Sequence, residues 1–297
     1  MATVKKSTLF PAELANEMFS KVKGKSSIAK LIGSEPVPFN GKDVFTFSTD
    51  GKVSVVGESE AKPDGGATVA TVQIRPIKVV YQARVSDEFV YAAEEAQLSY
   101  LNAFADGFAK KIAEGLDEMM IHGVNPATGE ASTVIGNNNL DYIVTNYSEG
   151  ANKITWTSGT DDPDAKLEDA IGKLEGDATG IIVAPAFRDA LANMSTDLGR
   201  KYPEFAFGAT PESLGGMALD QNKTLVANSS KDRAIVFNGN AIKWGFAKEL
   251  PLEVIEYGNP DGGAYDLKQA NEVLLRSEAY IGWGVLDNSQ IAMVVEP

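Results

Sequence analysis

Cysteine is absent from all 297 residues, and histidine occurs once, at His122. The first absence excludes disulfides and thiolate metal sites. The second leaves a His-based triad, a two-His zinc site or a His relay only one residue to be built on. No run approaches the roughly 20 apolar residues of a membrane span. The N-terminal MATVKKSTLFPAEL carries no apolar stretch behind its lysines and does not read as a secretory signal. Cations are in the minority: 27 Lys and Arg against 41 Asp and Glu give a formal charge of −14 and a pI near 4.6. Tight binding to phosphate backbones needs clustered cations, so it is not expected. Internal repeats and low-complexity tracts are missing as well.

The cations that exist are unevenly placed. Lys5, Lys6, Lys21, Lys23, Lys25 and Lys30 make the first thirty residues basic in an acidic chain. This stretch reads as an arm with one short helix opening at Pro11. It is either a solvated tail or a strap lying on an acidic surface of another subunit.

The organising feature is the stretch from Ser86 to Gly123. Leu101, Phe104, Phe108, Ile112, Leu116 and Met119 recur at steps of three and four, which places them on one face of a helix. Lys110, Lys111, Glu114, Asp117 and Glu118 fall largely on the other side. Ser86 suits an N-cap and Gly123 a stop. A single helix of that length would run on the order of 50 Å at ~1.5 Å per residue. That is long for a compact domain and fits a strut. Gly107 and Gly115 each cost it about 1 kcal/mol relative to Ala, for close packing or for bending.

Ahead of it, residues 37–85 alternate with period two. Val44–Phe47 and Lys52–Val55 read as strands, residues 61–66 (AKPDGG) as a loop tip, and 67–85 as the returning strand, with a bulge or kink at Pro76. The whole reads as a long β-hairpin. Isolated ribbons are marginal in water, so it must lie on something. After the helix a Gly/Asn-rich passage leads into an α/β stretch. Its helices start at Asp162-Pro163 and Pro185, its apolar strand is Gly180–Ala184, and further strands lie at Thr224–Val226, Ala234–Phe237 and Leu252–Glu256. Two or three strands follow between Glu272 and Val295.

No catalytic constellation emerges. His122 stands at a helix end, where it is expected to meet the last carbonyls. Gly24-Lys25-Ser26 lacks the first glycine of a phosphate loop, since Phe19 holds that position. Asp161–Asp164 breaks calcium-loop spacing and reads as a helix cap. Glu58 and Glu60 lie on a solvated loop, without the burial that splits the pKa values of a catalytic pair. Neither an enzyme nor a cofactor is expected.

The order of elements is nonetheless specific. A basic arm leads to a hairpin tipped by Lys62-Pro63-Asp64-Gly65-Gly66. Arg84-Val85-Ser86-Asp87-Glu88 precedes the helix that ends Ile121-His122-Gly123. An α/β region then precedes Asn271-Glu272-Val273-Leu274-Leu275-Arg276. This order resembles the major capsid proteins of tailed bacteriophages, with the Hong Kong ninety-seven capsid fold. The resemblance implies an α+β subunit with an N-arm (1–35), an E-loop with flanking strands (36–85), and a peripheral P-domain carrying a spine helix (86–133). It also implies an α/β A-domain (134–262) and return strands to the P-domain (263–297). A short helix would precede the spine, with a break near 93–98.

The function implied is a coat protein that assembles through hexamers and pentamers into an icosahedral shell around double-stranded DNA. The shell would be built in the host bacterial cytoplasm without sequence-specific DNA binding or a membrane. The short stretch before the hairpin implies a separate scaffolding protein beside a portal protein. Candidate intersubunit residues are Glu58, Glu60, Lys62, Pro63, Asp64, Gly65 and Gly66 at the loop tip and Lys5, Lys6, Lys21, Lys23 and Lys25 on the arm. Leu101, Phe104, Phe108, Ile112 and Leu116 form the core face of the spine. An encapsulin-type nanocompartment shell shares the fold, and a soluble enzyme or ligand-binding protein with a β-ribbon lid is the reading from another class.

Overall fold

The computed structural model describes residues 26–49, 53–62, 66–88, 94–197, 199–248 and 252–297. Helix and strand take nearly equal shares, 31% and 32%, which makes the class mixed, as expected. A short helix α1 (Ser27–Leu31) comes first, capped by the Ser26 side chain, which accepts the Ala29 N–H. Strands β1 (Lys42–Thr49) and β2 (Ala67–Ile74) form an antiparallel pair from Lys42 opposite Ile74 to Thr49 opposite Ala67. Of the strand expected at 52–55, Lys52 lies outside the described residues and residues 53–55 have no regular structure.

Pro76 does more than kink a strand. With no N–H to give a ladder, it ends the hairpin, and the chain changes sheets. Strand β3 (Ile77–Ser86) pairs not with β1 but with a strand near the C-terminus. Ser86 is the last residue of this strand, and its hydroxyl accepts the Glu88 N–H at 3.3 Å, as an N-cap does where a helical turn begins. Helix α2 spans Glu94–His122 without interruption. The helix is continuous from Glu94 onward, and residues 89–93, which lead into the break expected near 93–98, lie outside the described residues. Gly107 faces open space, whereas a Cβ on Gly115 would sit 3.2 Å from Pro126, so close packing accounts for the second glycine.

The chain continues through α3 (Leu140–Asn146), β4 (Lys153–Thr155), α4 (Pro163–Ile171), β5 (Gly180–Val183) and α5 (Pro185–Asn193). Next come β6 (Ser213–Leu214), β7 (Met217–Gln221), β8 (Asp232–Phe237), β9 (Ile242–Lys248) and β10 (Leu252–Ile255). It ends in α6 (Leu267–Ala270), β11 (Glu272–Val285) and β12 (Ile291–Val295). Thr224–Ser229, expected to begin as a strand, is a 3₁₀ turn.

Two sheets carry the fold. One has six strands in the order β4-β12-β8-β5-β7-β6. In the other, β11 pairs antiparallel with β3, β9 and β10. The strand groupings read from sequence are corrected here. Strands β9 and β10 join β11 although they precede residue 262, and β12 enters the six-stranded sheet although it follows residue 263. Periodicity reports burial on a face but not the identity of the pairing partner, so a short apolar strand does not announce which sheet it joins.

The strands β12, β8 and β5 at the middle of the six-stranded sheet are buried on both faces, which explains their unbroken apolar runs. Alternation divides their side chains between two cores. Ile182, Ile235, Phe237, Ile291 and Met293 join Phe108, Ile112, Leu116 and Met120 of α2. Ile181, Val183, Val236 and Val294 join Leu167 and Leu191 of α4 and α5, with Trp156 and Phe187. The same α2 face touches β3, where Tyr81 lies 5.8 Å from the Phe104 ring and 6.0 Å from that of Phe108.

The segment after α1 lies along β9. Glu35 donates its N–H to the Trp244 carbonyl at 2.9 Å, and Val37 donates to Phe246 at 3.2 Å. The Trp244 indole N–H in turn reaches the Ile32 carbonyl at 2.9 Å. Only a glycine permits this approach: a Cβ at Gly245 would stand 1.6 Å from the Glu35 carbonyl oxygen. Gly245→Ala should therefore expel residues 34–37 and lower stability by about 3 kcal/mol. Chemical denaturation would measure the loss, and an unchanged midpoint would contradict the packing.

Candidate functional site

The features that stand out chemically are an exposed hairpin, the contacts that hold its base, and two buried polar joints. In the hairpin, Phe45 and Phe47 are 74% and 67% exposed, and Val69 is 62% exposed across the ladder. Val53 and Val55 beyond it are fully exposed. Such a concentration of uncovered apolar side chains on one ribbon marks an interaction surface.

The base of the ribbon is fixed by sequence. A Cβ on Gly282 would meet Ile74 at 3.2 Å, and one on Gly284 would meet Ile74 at 2.9 Å and Val72 at 3.1 Å. The alternation of Gly282, Trp283 and Gly284 in β11 thus sends the indole into the core and leaves a flat backbone seat for β2 on the opposite face. Ile74, 2% exposed, fills that seat.

The loop tip behaves as a surface. Glu58, Glu60, Lys62 and Gly66 are exposed. Glu60 closes a local turn, accepting the Gly57 N–H at 2.9 Å. Pro63, Asp64 and Gly65 lie outside the described residues, as do Lys5, Lys6, Lys21, Lys23 and Lys25. Of the basic set, Lys30 is described, and it meets Asp220 of its own chain at 2.6 Å. On α2, Phe108, Ile112 and Leu116 are buried and Phe104 is half-buried. Leu101 lies in the helix, but its side chain falls outside the described ones.

Arg84 locks the other flank. Its guanidinium donates to Asp261 at 2.5 and 2.7 Å, to Asn259 at 2.8 Å and to the Tyr265 carbonyl at 2.9 Å. It also meets Glu272 at 3.2 Å. These bonds tie the turn at 259–265 to β3 and hold the Asp261 carboxyl well below the usual carboxylate range.

The first buried joint was not legible as such. Asp117, grouped above with the polar side of α2, is 1% exposed. It accepts a hydrogen bond from the Ser26 hydroxyl, the Ser27 N–H at 3.0 Å, the Ile28 N–H at 3.4 Å and the Asn222 amide. Asp117 thus caps α1 from within the core and fixes the start of the described chain to α2. A signal was present: position 117 is four after Ala113 and three before Met120, both on the buried face.

The second joint corrects the reading of His122. It does not meet the last carbonyls of its helix. Its Nδ1 lies 2.8 Å from Asp141 Oδ2 and 3.4 Å from Asp232 Oδ2, while Nε2 lies 2.9 Å from the Thr224 carbonyl oxygen. Burial disfavours the imidazolium, but Asp141, Thr224 and Asp232 outweigh it and the pKa is raised. Burial and the neighbouring Asp141 raise that of Asp232.

No protein-family model and no curated protein sequence matches the chain. Solved structures do. One from Mycobacterium phage Ogopogo is 29% identical over 92% of each chain, with a TM-score of 0.77. One from Gordonia phage Cozz is 24% identical over 92% of this chain and 87% of that one, with a TM-score of 0.73. The capsid of a native GTA particle shares the fold at 15% identity and a TM-score of 0.62, over 91% of this chain and 89% of that one.

Burial pushes the Asp117 carboxyl up, to about 6 from an ordinary 3.8, against the four bonds that favour its ionised form. A carboxyl raised on folding contributes stability below its unfolded pKa and loses it as pH rises through the folded value. Between about pH 4 and pH 6, the native chain should therefore lose stability that Asp117→Asn does not lose. Denaturation of the two proteins at each pH would measure the difference, and parallel profiles would count against it.

Proposed function

We infer that this chain, which has the major capsid fold of tailed bacteriophages, works as a shell protein: it is structural, not an enzyme, and copies of it build a capsid. The observation that carries the reading in this molecule is the hairpin. Its base is held by Gly282, Gly284 and Ile74, while Phe45, Phe47 and Val69 stay uncovered. Apolar area gains about 25 cal/mol per Å² when removed from water. A ribbon fixed at one end and apolar along its length gains that energy against another copy.

In the finer reading, hexamers and pentamers close into an icosahedral shell, since closed symmetry satisfies every interface. The hairpin is the E-loop, α2 with the sheet around β11 is the P-domain, and the six-stranded sheet is the body of the A-domain. The N-arm expected over 1–35, with its lysines, is assigned in this reading to contact with a neighbouring subunit. A charge of −14 suits enclosing double-stranded DNA without gripping it. A separate scaffolding protein and a portal protein complete the assembly in the host bacterial cytoplasm. The nanocompartment alternative draws no support from structures of phages and a GTA capsid.

Deleting residues 57–67 tests the reading. The shortened subunit should keep the native circular dichroism spectrum and melting temperature but fail to form stable shells by electron microscopy. Global unfolding would show that the loop serves its own subunit. Intact shells would show that the loop tip is dispensable.

A further inference from the structure

The contacts around His122 leave an unfilled requirement. Thr224 offers a carbonyl, which only accepts, so the Nε2 facing it at 2.9 Å carries the hydrogen. A neutral imidazole then turns its Nδ1 lone pair toward Asp141 Oδ2 and Asp232 Oδ2, and these three atoms all lie within 4.8 Å of one another. Three such atoms converging at that range are held together either by shared protons or by a cation that displaces them.

The site is built, not incidental. The His122 and Asp232 side chains are 6% and 4% exposed. Asp141 Oδ1 is buried without a hydrogen-bond partner. The supporting contacts are those a metal site uses: a backbone carbonyl fixes the imidazole tautomer, and the Ser230 hydroxyl donates to Asp232 at 2.8 Å. A cleft of about 390 Å³, lined in part by Asp141, Ser230 and Asp232, opens the site to water and gives an ion its path. Lys153 and Lys231 also line the cleft, and the Lys231 amine is engaged by the Pro297 carbonyl at 2.5 Å.

We propose that His122, Asp141 and Asp232 form a divalent metal site of the zinc class, which fastens the end of α2 to α3 and β8. Ligands held about 2.0–2.1 Å from an ion bring neighbouring donor atoms to roughly 3.0–3.4 Å of one another. The two Nδ1–Oδ2 separations, 2.8 and 3.4 Å, lie close to that spacing. One imidazole with two carboxylates suits zinc or manganese and disfavours magnesium, which prefers oxygen and gives up its waters reluctantly. Two carboxylates with a neutral imidazole carry two negative charges, which a divalent ion cancels. Metal binding displaces the protons that otherwise occupy the site. Because β8 is remote in sequence from α2 and α3, the ion would act as a staple.

The test uses the full-length chain stripped with chelator and titrated calorimetrically with zinc chloride, with magnesium chloride as control. The expected result is one zinc per chain, a raised melting temperature, and no comparable response to magnesium. His122→Asn and Asp232→Asn should abolish the one-per-chain binding, whereas Asp161→Asn on a distant turn should keep it. Binding that survives both substitutions, or no binding to the wild-type chain, would overturn the proposal. If the variants do not fold, zinc-edge X-ray absorption of the wild-type chain decides. Imidazole and oxygen scattering supports the site, and a spectrum without imidazole sinks it.

Discussion

Strand β11 must satisfy more of its neighbours than any other described strand, and the subunit is arranged around that demand. Its fourteen residues pair with β3, β9 and β10. One side of it holds Trp283 in the core beside α2, while the glycines flanking Trp283 receive the hairpin. Without an N–H at Pro76 the chain could not pass straight from β2 into this ladder. The sheet switch, the hairpin seat and the packing of α2 are therefore consequences of one strand meeting its backbone hydrogen bonds on both edges.

Much of this was readable beforehand because it is local. The apolar stripe of α2 announced both the helix and its buried face, since Phe108, Ile112 and Leu116 obey the helical period. Pro163 and Pro185 announced their helices, because a proline at the first turn costs no hydrogen bond. The hairpin followed from alternation on either side of a Gly-rich tip. What stayed hidden depends on partners distant in sequence. Strand β12 reads like any apolar strand, and nothing local assigns it to β4 and β8 instead of β11. The two or three strands expected between Glu272 and Val295 are two, β11 and β12, and that the glycines of β11 serve the approach of Ile74 could be seen only with β2 in place.

The polar joints show the same division. Asp117 reads with the polar side of α2, although its helical position lies between buried neighbours. The four donors that make its burial tolerable come from residues some 90 and 105 positions away, and no periodicity reports them. His122 was placed correctly at a helix end but given the wrong partners, for Asp141 and Asp232 reach it only through the packing of α3 and β8. Buried charge in this subunit is concentrated where elements from different parts of the chain meet. Removing one member there leaves the others uncompensated.

The hairpin is gripped on both flanks within a few residues of its root. Glu35 and Val37 are stitched to β9 just before β1 begins, and β3 is stitched to β11 directly after β2 ends. The ribbon is therefore a cantilever. A load applied at its tip cannot be relieved by slack at the root and passes into Trp244 on one flank and the Arg84 lock on the other. A pull from a neighbouring copy would thus be felt at the indole that plugs the core, so bending of the shell and packing of the subunit interior are mechanically a single event.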